Sequence, residues 1–165
     1  MLVFSHNPWL VLASLCVALM AGFTGLSLTK GLSAQPLGQR KSTIALSSIA
    51  MGGGIWSMHF VAMLGLQLPI QFYYNFLITL MSVLVAILVV GCALLILHFR
   101  QRTPSSLTAA GLIVGFGILA MHYIGMSGLE LCRTVYSNTG ILITILTSCG
   151  LSVGAFRVAY GQRAH

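Results

Sequence analysis

Two histidines of this chain sit in nearly the same setting, 63 positions apart. Gly52–Pro69 reads GGGIWSMHFVAMLGLQLP and Gly115–Cys132 reads GFGILAMHYIGMSGLELC, with nine of eighteen positions identical, among them Met58/Met121, His59/His122 and Met63/Met126. Such matching on rare residue types marks an internal repeat. On an α-helix, residues four apart are offset by about 40°. His59 and Met63 therefore share a face, as do His122 and Met126, whereas Met58 and Met121 lie about 100° from the neighbouring histidine. The chelating unit is His-x-x-x-Met, presented twice, with His6 as a further exchangeable ligand. Imidazole and thioether together suit copper, above all Cu(I). They do not suit calcium or magnesium, which take oxygen ligands.

The elements that must carry these residues follow from composition. The 165 residues are 58% hydrophobic and 5% charged, against about 25% charged in a soluble domain. A transmembrane helix needs about 20 mostly apolar residues, and five such stretches are present: about 8–28, 43–66, 75–97, 105–129 and 138–160. The chain reads as an all-α, polytopic membrane bundle forming one domain over residues 1–165. The N-terminus lacks the basic region of a cleaved signal peptide, so the first helix is expected to stay. The net charge of +7 comes from residues scattered between spans, with no basic stripe to grip phosphates; nucleic acid is not an expected partner, and the lipid bilayer is.

Seven of the eight Lys and Arg fall in the first loop, the third loop and the C-terminal region. The positive-inside rule then predicts an N-terminus outside and a C-terminus in the cytoplasm. His59 and His122 fall in the outer half of the bilayer and His6 at the outer surface, while His98 and His165 read as interface or tail residues. Cys16, Cys92 and Cys149 read as small buried apolar side chains; Cys132, at a helix end, is left open. Trp9, Trp56 and Tyr123 read as belt or packing aromatics, with Tyr123 also placed to hydrogen-bond a ligand histidine. Gly111 and Gly115 form a G-x-x-x-G pair suited to close helix contact.

A longer repeat frames the motifs. Asn7, Asn75 and Asn138 each open a helix, and a Met-His helix follows the first two. The architecture predicted is three helix pairs with the last helix of the third missing.

Met121-His122-Tyr123-Ile124 and Met58-His59-Phe60-Val61, with the lead His6-Asn7-Pro8-Trp9-Leu10, resemble the MHYT domain, a bacterial integral-membrane sensor module. The resemblance covers the whole chain, although Val61 and Ile124 stand where the family name has Thr. It implies copper, as Cu(I)/Cu(II), held by Met and His near the outer face, detection of oxygen, carbon monoxide or nitric oxide, and output through a cytoplasmic or membrane signalling partner. Redox state is a further candidate signal. Two other readings stay open: a haem-binding electron carrier with His59 and His122 as axial ligands, and a metal transporter. No nucleophile–base or acid–base pair stands out, so no enzyme is expected. An incomplete pseudo-symmetric bundle also predicts a homo-oligomer.

Overall fold

The computed structural model describes residues 5–67, 73–100, 103–130 and 137–161. Within them the order is β1 (Ser5–His6), α1 (Pro8–Leu28), a 3-10 turn (Leu32–Ala34), α2 (Leu37–Leu64), β2 (Leu66–Gln67), β3 (Tyr73–Tyr74), α3 (Phe76–Phe99), α4 (Pro104–Ser127), β4 (Leu129–Glu130) and α5 (Asn138–Gly161). The five α-helices are long and apolar enough to cross a membrane; at 1.5 Å per residue the shortest, α1, extends about 31 Å, the thickness of a hydrocarbon core. This is a multi-pass, all-helical membrane protein.

Helix starts obey local chemistry. The Asn7 Oδ1 accepts from Trp9 N at 3.0 Å, and the Asn75 Oδ1 accepts from Leu77 N and Ile78 N at 3.1 and 3.2 Å. Each asparagine is an N-cap satisfying backbone donors that the first turn leaves without partners. The third copy differs. There Ser137 Oγ accepts from Gly140 N at 3.0 Å, and Asn138 is already the first residue of α5.

The second helix begins at Leu37, six residues before the expected boundary. Pro36 stops the preceding chain, and Arg40 and Lys41 ride on the first turns of α2 instead of lying in a loop. Hydropathy marks where a helix enters lipid, not where its hydrogen bonds begin.

Two short antiparallel bridges, absent from the sequence reading, tie the bundle at one end. β1 pairs with β2 (His6 opposite Leu66), and β3 pairs with β4 (Tyr74 opposite Leu129). Next to them Asn7 N donates to Gly65 O at 2.9 Å and Asn75 N to Gly128 O at 2.8 Å. The same clasp is thus built twice, each time joining the start of one helix to the end of the Met-His helix that follows.

Each helix packs on its neighbour in sequence, and α2 also touches α4. Glycine sets the closest approaches. A Cβ on Gly52 would lie 2.6 Å from Ile87 Cα, and one on Gly115 would lie 2.8 Å from Cys149 Cα. These residues are equivalent in the two repeats, so α2 on α3 and α4 on α5 are the same contact repeated. Gly111, one turn before Gly115, meets the Val153 backbone, as the G-x-x-x-G spacing predicts.

The main core lies towards the end opposite the strands, around Leu32, Ile44, Leu94, Leu97, Leu107 and Tyr160. His98 belongs to it. It is 4% exposed, its Nδ1 faces Leu94 O at 2.9 Å, and its ring stands edge-on to Tyr160. The sequence reading put His98 at the cytoplasmic interface; α3 runs two residues past the expected span, and there, in its last turn, His98 packs against α5. Arg40 donates to the His98 carbonyl and lies over the Phe99 ring, and the Tyr160 hydroxyl meets that of Thr29 at 3.4 Å. The cysteines also need correction. Cys16 and Cys92 are exposed on the outward surface and Cys149 is half-buried, because in a membrane an apolar side chain needs no protein cover. Cys132 and His165 lie outside the described residues.

Candidate metal and ligand site

The Met-His segments occupy the last turns of α2 and α4, each histidine about 8 Å from its helix end at the strand side. His122 Nδ1 and His59 Nε2 are 3.0 Å apart, with ring centroids 4.8 Å apart and planes at 80°. One imidazole nitrogen of each faces the other, so in the neutral pair one ring donates and the other accepts.

Beside His59 lies a small cavity of about 20 Å³, lined by Trp56, Phe60, Met63, Tyr74, Met121 and Met126 among others. That volume holds about one water-sized molecule. The wall is built from one face of α2, where Trp56, His59, Phe60 and Met63 follow at spacings of three and four. Across it stand Met121 and Met126 of α4, and Tyr74 of β3.

The structure therefore brings together His59, Met63, His122, Met126 and Met121. Met121 reaches the cavity although it lies off the His122 face; the wall also includes Thr79 and Ser82 of α3. Met58 does not join them. It lines a separate apolar groove with Pro8, Val11 and Ser14 of α1. The His6 backbone is held opposite Leu66 at the end of α2, and its side chain lies outside the described part of the molecule.

Polar groups around the cavity form a chain. The Trp56 indole N–H donates to Ser82 Oγ at 2.9 Å, Ser82 Oγ donates to Thr79 O at 2.7 Å, and Thr79 Oγ1 donates to Asn75 O at 2.8 Å. Trp56 stacks on Phe60 at 5.0 Å, and Phe60 meets Tyr74 at 4.9 Å. Trp56 is thus an inward anchor between α2 and α3, whereas Trp9 is 76% exposed, as a belt residue would be. The Tyr123 hydroxyl meets Thr144 Oγ1 of α5 at 3.4 Å, and its ring edges His122.

Sequence reasoning missed Trp56 and Tyr74 as site residues. Both carried a signal. Trp56 precedes His59 by three positions, one helical turn on the same face, and Tyr74 precedes Asn75 as His6 precedes Asn7.

Among the described residues, no three or more of His, Cys, Asp and Glu are gathered where an ion could sit. Any ion here would rest on the two imidazoles and on thioether sulfur. Two imidazole nitrogens on one ion, at bonds of about 2.0–2.1 Å, are separated by about 3–4 Å; the 3.0 Å observed falls in that span. The donor set fits a soft ion.

The family model described as "Bacterial signalling protein N terminal repeat", MHYT, matches residues 52–111 and 115–165. Its two units start at Gly52 and Gly115, where the repeat begins in the sequence and where the paired glycine contacts lie. The chain belongs to the MHYT family. It is 35% identical over 99% of its length to the bifunctional diguanylate cyclase/cyclic di-GMP phosphodiesterase MucR of Pseudomonas aeruginosa. It is 30% identical over 92% to the cyclic di-GMP phosphodiesterase NbdA of the same organism, and 27% identical over 94% to the signaling protein YkoW of Bacillus subtilis. The MHYT chain described above spans 24%, 19% and 20% of those three proteins, about a quarter or less of their length. No solved structure matches it. The MHYT unit is a signalling domain, and the paired Met-His helices are its repeat.

Proposed function

We propose that this MHYT domain senses a diatomic gas (oxygen, carbon monoxide or nitric oxide) or redox state through copper held by His59 and His122 with thioethers of Met63, Met126 and Met121. The observation that carries the reading is the 3.0 Å approach of the two imidazoles, from two repeats, beside a cavity with three methionines in its wall. When bound, copper supplies a redox-active centre with an affinity for small π-accepting ligands. The protein's own residues supply the rest. The two histidines fix the ion between α2 and α4, the methionines favour the reduced ion, and Trp56, Phe60 and Tyr74 keep the cavity narrow.

Signalling follows if the ligand favours one packing of α2 on α4 over another, since only a difference in binding free energy between two states moves an equilibrium. Lys30, Arg40, Lys41 and Arg100 lie at the end opposite the strands, which by the positive-inside rule supports a cytoplasmic position for that end and a site near the outer face of a bacterial inner membrane. The cytoplasmic end would then report to an output partner. MucR and NbdA, whose names carry cyclic di-GMP chemistry, suggest that class of output, with the membrane module itself not an enzyme. The direct contact of the two rings favours a single ion over a haem, whose macrocycle must stand between its two axial histidines.

The test is elemental analysis of detergent-purified protein, wild type against His59→Ala/His122→Ala, after anaerobic Cu(I) loading. Copper near one per chain, lost in the double variant, is expected. Wild-type protein that binds no copper, or a variant that keeps it, overturns the reading.

A further inference from the structure

The seam between α2 and α3 opens on its outward side into a groove of about 360 Å³, lined by Lys41, Ala45 and Ser48 of α2 and by Gly91, Cys92 and Leu95 of α3 among others. It starts at Lys41, one turn inside α2, and runs about 10 Å along that helix to Ser48. Small residues make the room. A Cβ on Gly91 would meet Ser48 Oγ at 3.1 Å, and that hydroxyl already donates to Ile44 O at 2.7 Å. Ala45 and Cys92 are exposed above this floor.

The second repeat bridges the same seam. Gly52 against Ile87 and Gly115 against Cys149 fix the correspondence, which puts Thr108 where the first copy has Ala45 and Arg157 where it has Leu95. There Arg157 Nη2 donates to Thr108 Oγ1 at 3.0 Å, a polar tie from α5 to α4. In the first copy both positions are apolar, and the seam stays open.

Charge marks what the groove takes. Arg40 turns into the bundle, to the His98 carbonyl and the Phe99 ring. Its neighbour Lys41 is exposed and lines the groove instead. Both walls belong to membrane-spanning helices, so the groove faces lipid, with its lysine near the helix end where headgroups lie. A cation over an apolar channel complements a phosphate with a hydrocarbon chain behind it, as basic pockets between membrane helices do.

We propose that this groove binds an anionic glycerophospholipid, its phosphate on Lys41 and one acyl chain laid between α2 and α3. The site stands apart from the Met-His pair and does not depend on copper.

The test titrates the full chain in detergent with phosphatidylglycerol or with phosphatidylcholine of the same acyl chains, read by native mass spectrometry. Wild type is expected to bind phosphatidylglycerol about fivefold more tightly, the effect of one basic residue at an anionic surface. Lys41→Gln should lose that preference, and Lys30→Gln, at the same end but outside the groove, should keep it. Cys92→Phe, which fills the groove from its exposed wall, should weaken phosphatidylglycerol binding by about fivefold or more. In wild type, which needs no substitution, phosphatidylglycerol should slow maleimide alkylation of Cys92 and leave that of Cys16, exposed on α1, unchanged. Equal binding of the two lipids by wild type overturns the proposal, and so do equal losses in the two lysine variants. Cys92 alkylation that ignores the lipid overturns the placement in the groove.

Discussion

His59 Nε2 and His122 Nδ1 face each other at 3.0 Å. A hydrogen bond between them and a shared ion are mutually exclusive uses of the same two nitrogens. The pair therefore acts as a unit, and neither ring keeps its role when the other is removed.

Single substitutions should consequently cost nearly as much as the double one. His59→Ala and His122→Ala are each expected to weaken Cu(I) binding more than about a hundredfold, since loss of outer-shell partners alone costs about 10–100-fold. Competition with a chromophoric Cu(I) chelator measures it. Losses that add as independent terms would contradict the paired arrangement.

The two motif methionines should behave differently although they hold equivalent positions in the repeat. Met121 is 1% exposed and lines the cavity, whereas Met58 lines the groove against α1. Met121→Leu is expected to lower Cu(I) affinity by about tenfold or more and Met58→Leu to leave it within about twofold, given the preference of Cu(I) for thioether ligands. The same chelator titration decides, and equal effects would be evidence against this geometry.

Helix contact can be probed at adjacent glycines. A Cβ at Gly52 meets the Ile87 backbone at 2.6 Å, while one at Gly53 has nothing within 4 Å. Gly52→Ala should destabilise the bundle by about 1–3 kcal/mol, the usual cost of overpacking. Gly53→Ala should be neutral or slightly stabilising, because alanine is the better helix former. Unfolding in detergent followed by circular dichroism gives both values.

Burial should make Tyr74 titrate late. Its folded-state pKa is raised above 10.0 because burial disfavours the phenolate. Below pH 10 the phenol is protonated whether the chain is folded or not, and Tyr74 adds no pH dependence. Above it the unfolded chain loses this proton first, so stability falls as pH rises through the alkaline range. Absorbance at 295 nm should show a delayed component that Tyr74→Phe removes.

Much of this architecture was legible in the residues. Five spans, the Asn7 and Asn75 leads, the repeat phase at Gly52 and Gly115, and the shared face of His59 and Met63 all follow from composition and helical spacing. What escaped has physical reasons. Bridges of two residues, such as Tyr73–Tyr74 with Leu129–Glu130, are too short to leave a periodicity. The burial of His98 depends on how α3 meets α5, which one strand of text does not encode. Met121 was separable from Met58 only once α1 and α3 were seen to offer them different neighbours.

The two strand clasps record how the copies have drifted apart. Asn75 follows Asn7 by 68 positions, but Gly128 follows Gly65 by only 63. Yet the clasp bonds are nearly identical, at 2.9 and 2.8 Å. The five additional residues of the first pair are taken up at the far end, where Gly31 turns through a left-handed conformation (φ 70°) and a 3-10 turn leads into α2. The difference in length between the two copies is thus absorbed at the end of the bundle away from the meeting of the histidines, so the two clasps hold the same geometry although the loops opposite them do not match.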